Sequence, residues 1–310
     1  MKIIILDRKT LGFDVSVDIF SKFGKVVSFD TTKENETKDR IKDADIVLTN
    51  KVYVGENELK DSSVKLICIT ATGMNNVDLD YAKANNIEVK NVAGYSTSSV
   101  VQLGFSMIFY FVQKLNYYKN YVDEQNWQKS DTFTHIDKPF FELDNKRVGI
   151  IGLGEIGRDF AKKAKAFNCE VVYYSTSGQN TNNEYKSVTL EQLLKTSDII
   201  SIHAPLNSKT KDLLGYKELN LLKDGAILLN LGRGGIINEP DLARILDEKN
   251  IFCGLDVVSK EPIEESNPLL KVKNKNRLLL TPHIGWASIE ARTRLVNMVA
   301  KNIEDFIDGK

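Results

Sequence analysis

The chain has 310 residues, in which 42 basic side chains balance 42 acidic ones and 42% of residues are hydrophobic. That composition suits one large or two medium globular domains with real cores. A zero formal net charge gives a phosphate backbone little to hold, so no nucleic-acid partner is expected.

Met1 and Lys2 run straight into the apolar "IIIL", which reads as a first strand rather than a signal peptide. "KIIIL", "DIVLTN", "VKLICIT" and "IEVKNV" are the strand candidates of the first third, separated by polar, helix-competent segments. After "GYSTSSV" a long helix is predicted over about residues 98 to 120, apolar on most faces and expected to be buried between two bodies. Its most apolar window, Val100 to Val112, is interrupted by Gln102 and is too short to cross a bilayer, so no membrane partner is expected. His135, in the polar "SDTFTHIDKP", is expected to be exposed. From residue 147 apolar runs recur as "RVGIIG", "EVVYY", "DIISIHA", "GAILLNL", "FCGLDVV" and "RLLLTP". Such runs, separated by helices, predict α/β architecture with parallel strands covered on both faces. Near the end, Leu295, Val296, Val299, Ile303 and Phe306 form one helical stripe, which is expected to cross back onto the first unit. The expected domains are residues 1–98 plus 286–310, and residues 99–285. Cys68, Cys169 and Cys253 lie in or beside apolar runs without a CxxC pair, so they read as buried thiols of a reducing, cytoplasmic compartment.

The strongest chemical signal is "VGIIGLGEIG", with Gly152, Gly154 and Gly157 between a strand and an amphipathic helix. Gly152 permits the tight turn, Gly154 admits a pyrophosphate to the backbone, and Gly157 lets helix and strand pack closely. The helix N-terminus then offers free N–H groups to the phosphates. Arg233, Asp256 with Glu261, and His283 each follow an apolar strand. In an open parallel sheet those strand ends line the ligand crevice. Arg can hold a carboxylate, His can pass a proton near neutrality, and Glu beside it would favour imidazolium. Taken singly, Arg233 could be a surface arginine, Glu261 a solvated charge and His283 a strand cap. His203, in "SIHAPL", is the rival for proton transfer. No His/Cys/Asp cluster has metal-ligand spacing, so no metal is expected. The stretch "EVVYYSTSGQN" lacks the acidic residue that would hold an adenosine ribose, and no basic side chain replaces it before Lys186.

With "VGIIGLGEIG", "SDIISIHAPLNSKT", "LLNLGRGGIINEPDLARIL", "GLDVVSKEP", "TPHIGW", "ATGMNNVDLD" and "NVAGYSTSSV" in this order, the chain resembles the D-isomer-specific 2-hydroxyacid dehydrogenases over essentially its full length. The resemblance implies two Rossmann-like doubly wound domains, the cofactor domain (99–285) inserted into a discontinuous flavodoxin-like substrate domain (1–98 plus 286–310). It implies that His283 is the acid/base, Glu261 its partner and Arg233 the grip on the substrate carboxylate and carbonyl. It implies cofactor contacts at Gly152, Gly154, Glu155, Ile156, Gly157, Ser175, Thr176, His203, Ala204, Pro205, Leu231, Gly232, Asp256 and Gly285, with Asp256 on the nicotinamide carboxamide. It implies substrate contacts at Asn50, Lys51, Val52, Thr72, Gly73, Asn76 and Trp286.

Within the family, "LTNKV", "ICITATGMNNVDL" and "NVAGYSTSSVVQ" look most like glycerate dehydrogenase, also called hydroxypyruvate reductase. D-lactate-type and other small 2-oxo acid reductases stay open, and the end at Lys310, short of a regulatory extension, counts against 3-phosphoglycerate. A dinucleotide-sensing corepressor and a formate or phosphite dehydrogenase are the weaker alternatives. Ser175 cannot repel a 2′-phosphate, yet no cation stands ready for one, so NAD is expected ahead of NADP or dual use. A homodimer is implied by the aromatic-rich arm Tyr110, Phe111, Tyr117, Tyr118, Tyr121, Trp127, Phe133 and Phe140.

Overall fold

The computed structural model describes residues 1–179 and 182–309. Asn180 and Thr181, at the end of the "STSGQN" stretch, lie outside the described residues. The chain divides into two compact units, Met1–Ser96 with Trp286–Lys310, and Thr97–Gly285.

The first unit runs β1 (Lys2–Ile5), β2 (Lys25–Ser28), α1 (Glu34–Ile41), β3 (Ile46–Thr49), α2 (Glu56–Leu59), β4 (Leu66–Ile69), α3 (Leu79–Ala84) and β5 (Glu88–Lys90). Its strands form one five-stranded parallel sheet in the order β2-β1-β3-β4-β5. β3 and β4 are buried at every position, which is why they read as unbroken apolar runs. Successive side chains enter opposite cores: Ile46, Leu48, Leu66 and Cys68 on one face, Val47, Ile67 and Ile69 on the other. β2 was not among the predicted strands. It is a four-residue edge strand with exposed ends, too short to show a period.

The second unit opens with α4 (Thr97–Gln113) and α5 (Leu115–Asp123). The single long helix expected here is broken at Lys114, whose φ of 49° is left-handed. The break sets the Lys114 ammonium 5.2 Å from the Phe252 ring centre, a cation–π contact. α4 buries Val101, Met107, Ile108 and Phe111 in the core of its own unit, whereas α5 buries no residue. His135 corrects a second expectation. Its side chain is only 14% exposed, because the ring stacks on Tyr121 at 3.8 Å and its Nε2 lies 2.7 Å from the Tyr117 hydroxyl.

The chain then runs β6 (Arg147–Ile151), α6 (Glu155–Ala166), β7 (Glu170–Tyr174), β8 (Lys186–Ser187), α7 (Leu190–Thr196), β9 (Ile199–Ile202), α8 (Tyr216–Asn220), β10 (Ile227–Asn230), α9 (Glu239–Glu248), β11 (Phe252–Leu255) and β12 (Leu278–Leu280). The seven strands pair in parallel in the order β12-β11-β10-β9-β6-β7-β8. β8, an exposed two-residue edge, was also not predicted. From β6 the order steps to β7 on one side and to β9 on the other, so the topological switch lies between β6 and β9.

The last helix, α10 (Ile289–Ile307), is capped by Ser288, whose hydroxyl accepts the Ala291 N–H at 3.2 Å. Its stripe packs in the first unit, with Leu295, Val296, Val299 and Ile303 buried in that core and Phe306 packed against it. Each such side chain contributes roughly 1.5–3 kcal/mol of transfer free energy. Cys68, Cys169 and Cys253 are buried free thiols, and burial pushes Cys68 up to about 12, far from reactive thiolate.

Candidate active site

Because every strand pairing of the second unit is parallel, the carboxyl ends of its strands share one edge. Along that edge lie His283 and Gly285 after β12, Asp256 and Glu261 after β11, and Leu231, Gly232 and Arg233 after β10. His203, Ala204 and Pro205 follow β9, Gly152 to Gly157 follow β6, and Ser175 and Thr176 follow β7. Residues more than a hundred positions apart in sequence, such as Gly152 and His283, are thus brought onto one edge of the sheet.

The glycine turn has the geometry its spacing implies. Gly152 has φ of 91°, and a Cβ there would stand 2.9 Å from the Ala204 backbone. A Cβ on Gly157 would stand 2.3 Å from the Gly152 carbonyl oxygen, so only a glycine lets the helix approach the turn this closely. At Gly154, by contrast, a Cβ would meet nothing within 4 Å. The space over the turn is open, and α6 begins at Gly154 with no side-chain cap on its N–H groups. An open cradle over uncapped donors fits the pyrophosphate of a dinucleotide. Glu155 turns aside and accepts the Thr97 hydroxyl at 2.7 Å. Ile156 is half-buried against the core, and Ser175 and Thr176 are half-exposed at the end of β7.

His283 sits in the left-handed region with φ of 53°, uncommon for a residue with a side chain. Asp256 is the cause. Its carbonyl accepts the His283 N–H at 2.9 Å, and its carboxylate accepts Thr281 Oγ1 at 2.6 Å, the Ile284 N–H at 2.8 Å and the Gly285 N–H at 2.7 Å. Asp256 is 3% exposed, and burial raises its carboxyl above the usual range against the pull of those donors. About one acceptor position of the carboxylate is left for anything else. The clamp aims the imidazole at Glu261: Nδ1 lies 2.7 Å from Oε2. The other Glu261 oxygen accepts the Val258 N–H at 3.2 Å. Both side chains stay reachable, at 26% and 32% exposure.

Arg233 is exposed, donates to the Gly232 carbonyl oxygen at 2.8 Å, and has no carboxylate partner among the described residues. Its turn is tied to the Glu261 loop by close approach. A Cβ on Gly234 would stand 2.0 Å from the Val258 carbonyl oxygen. Leu231 is buried, while Gly232 lies against Ala204.

His203 contrasts with His283. Its Nε2 lies 2.9 Å from Ser201 Oγ, its Nδ1 is buried without a partner, and its ring centre lies 5.0 Å from that of Phe160. Burial pushes its pKa down to about 3. It is a neutral imidazole in the neutral range. Ala204 is buried beside it and Pro205 is exposed.

In the first unit, Asn50, Lys51 and Val52 form the turn after β3, and Asn76 Nδ2 donates to the Val52 carbonyl oxygen at 3.2 Å. Thr72 Oγ1 donates to the Val92 carbonyl oxygen at 2.9 Å, and the N–H groups of Thr72 and Gly73 have no partner among the described residues. Trp286 is half-buried and meets Tyr95 edge-on at 6.4 Å. The sequence reading missed Asp7. Buried at 5% exposure, its carboxylate accepts the N–H groups of Asn50 at 2.9 Å and Lys51 at 2.8 Å. The signal available was an acid closing the apolar strand in "KIIILD".

Residues 105–285 match the family model "D-isomer specific 2-hydroxyacid dehydrogenase, NAD binding domain". The chain is 36% identical to a hydroxypyruvate reductase of Blautia hydrogenotrophica, over 100% of this chain and 98% of that one. It is 34% identical to a glycerate dehydrogenase of Methylorubrum extorquens, over 100% of this chain and 97% of that one. A solved acyclic imino acid reductase in complex with NADPH and D-Arg superposes with a TM-score of 0.84 at 28% identity, covering 100% of this chain and 98% of that one. The chain therefore belongs to the D-isomer-specific 2-hydroxyacid dehydrogenases, nicotinamide-dependent oxidoreductases, and residues 105–285 are its NAD-binding domain.

Proposed function

We propose that this chain reduces hydroxypyruvate to D-glycerate with NADH, and that His283 delivers the proton. The carrying observation is the 2.7 Å pairing of His283 Nδ1 with Glu261, one loop away from the Arg233 guanidinium, which has no carboxylate partner among the described residues. When bound, NAD in its reduced form supplies a hydride to C2 of the 2-oxo acid. The residues do the rest. Arg233 grips carboxylate and carbonyl with its planar fork. Glu261 holds Nδ1–H and favours the imidazolium, whose Nε2–H gives its proton to the developing alkoxide and leaves the neutral ring. Asp256 positions the loop and keeps one acceptor site for the carboxamide. The N–H groups of Gly154 to Gly157 and the hydroxyls of Ser175 and Thr176 take the dinucleotide's phosphates and ribose, with Ile156, His203 to Pro205, Leu231, Gly232 and Gly285 lining its path. The unpartnered N–H groups of Thr72 and Gly73 take the substrate carboxylate, and Asn50, Lys51, Val52, Asn76 and Trp286 shape the substrate side.

Hydroxypyruvate is favoured by the names of the full-length relatives and by the polar Asn50-Lys51 turn. The NADH preference rests on the lack of a cation between Val171 and Asn183, and the NADPH complex of the imino acid reductase makes dual use the second reading. Two further parts belong to this reading. Trp127, Phe133 and Phe140 are 51%, 89% and 52% exposed, which supports a homodimer built on this arm. Three buried free thiols suit a reducing cytoplasm, and no helix among the described residues is long and apolar enough to cross a membrane. Nicotinamide absorbance followed with hydroxypyruvate, glyoxylate, pyruvate and longer 2-oxo acids, each with NADH and NADPH, tests the proposal. The highest kcat/KM is expected with hydroxypyruvate and NADH, and no turnover with any pair contradicts it.

A further inference from the structure

Glu239 has no part in the roles assigned above. It opens α9, in the segment that follows Arg233, and is 8% exposed. No basic side chain pairs with it among the described residues. A carboxylate withdrawn from water without a cation is costly unless hydrogen bonds replace its hydration. Here they do. Oε1 accepts the Ser259 N–H at 2.5 Å and the Ser259 hydroxyl at 2.7 Å, and Oε2 accepts Asn267 Nδ2 at 2.7 Å. Asn267 in turn accepts the Leu269 N–H at 3.0 Å through Oδ1.

Helix capping does not account for this arrangement. Asn238 already caps α9, its side chain accepting the Asp241 N–H at 3.2 Å. All three donors to Glu239 instead lie in the loop that leaves β11 and carries Glu261. Within that loop Ser259 follows Val258, whose N–H holds Glu261 Oε1 at 3.2 Å. The opposite Glu261 oxygen faces His283, whose other charged neighbour is Asp256. The connection is continuous: Glu239 fixes Ser259, the Val258–Ser259 turn fixes Glu261, and Glu261 fixes the imidazole.

We propose that Glu239 is a positioning residue of the reaction, clamping the Glu261 loop so that Glu261 stays on His283 Nδ1. This rests on the proton delivery proposed above. It also explains why α9 begins with a buried, unpaired acid directly after the Arg233 turn, since one helix start then ties both loops together.

The test uses the full-length chain with hydroxypyruvate and NADH across a pH series. Glu239→Gln keeps an acceptor for Ser259 but turns an amide N–H toward the Asn267 amide. A drop in kcat on the order of tenfold to a hundredfold is expected from the displaced loop. The alkaline limb of the rate profile should move to lower pH as Glu261 loosens from the imidazolium, with the NADH dissociation constant unchanged. In the double variant Glu239→Gln/Asn267→Asp the new amide can donate to the new carboxylate, and kcat and the limb should both recover. Glu239→Gln with the parental kcat and limb overturns the proposal, as does a loss of thermal stability without a shifted limb. Should Glu239→Gln fail to fold, Ser259→Ala must move the limb in the same direction by a smaller step, and an unmoved limb overturns the proposal. Turnover that His283→Ala leaves intact would instead overturn the proton delivery itself, and the positioning role with it.

Discussion

The two ends of the carboxyl edge in the second unit are built on opposite electrostatic plans. At the β6–β9 end a left-handed glycine, an open turn and a half-buried histidine carry no charge, and withdrawal of the ring nitrogens from water pushes His203 down to about 3. At the β10–β12 end an exposed arginine without a carboxylate partner among the described residues, a half-exposed ion pair and a clamped aspartate concentrate charge within neighbouring loops. Histidine alone therefore does not mark an acid/base. The two histidines differ in geometry: His283 has a carboxylate on Nδ1 and a partly exposed side chain, whereas His203 has a hydroxyl on Nε2 and a buried Nδ1.

The largest way to break this contrast is to exchange the damage. Arg233→Ala should lower kcat/KM for the 2-oxo acid by at least about a hundredfold, since a charge-assisted bidentate grip is lost, while NADH titration by fluorescence stays parental. Gly154→Val should do the reverse, filling the open cradle and weakening NADH binding with little change in fold. Loss of both functions in both variants would dissolve the distinction between the ends.

Glu261→Gln is the next step down. It keeps the hydrogen bond to Nδ1 in shape but removes the charge that favours imidazolium. Reduction should then fail at lower pH than in the parent, seen as a shifted alkaline limb in kcat/KM. An unshifted limb would mean that Glu261 only orients the ring.

The smallest effect reads His203 through stability. Above its ordinary value of 6.5 the imidazole is neutral in both folded and unfolded chains. Between 6.5 and about 3 the unfolded chain binds a proton that the folded chain refuses. Stability present at neutral pH is therefore lost as pH falls through this window, by about 1.4 kcal/mol per unit. Thermal melts of His203→Gln should show a shallower loss between pH 6.5 and 5 than the parent, and parallel curves would mean that His203 titrates freely.

The same contrast explains what the sequence made legible. Strands buried on both faces announced themselves as apolar runs, and the glycine turn and Arg233 follow such strands closely, while Glu261 and His283 lie in the loops after β11 and the half-buried edge strand β12. β2 and β8 stayed hidden because short edge strands with exposed residues carry no period. The break at Lys114 was hidden because α4 and α5 are both helix-competent and only a left-handed residue separates them. Asp7 acts on backbone N–H groups 43 to 45 residues away, which any residue type would present, and Glu239 on Ser259 and Asn267, 20 and 28 residues away. Such pairings leave no pattern in one sequence, whereas the roles of side chains at strand ends do.

On the function proposed above, His283 and not His203 moves the proton. NADH oxidation with hydroxypyruvate, measured side by side for the parent, His283→Ala and His203→Gln, tests it most directly. A loss on the order of a hundredfold to ten-thousandfold in His283→Ala is the predicted result, with His203→Gln within about tenfold of the parent. Turnover retained in His283→Ala and abolished in His203→Gln would make His203 the proton donor instead.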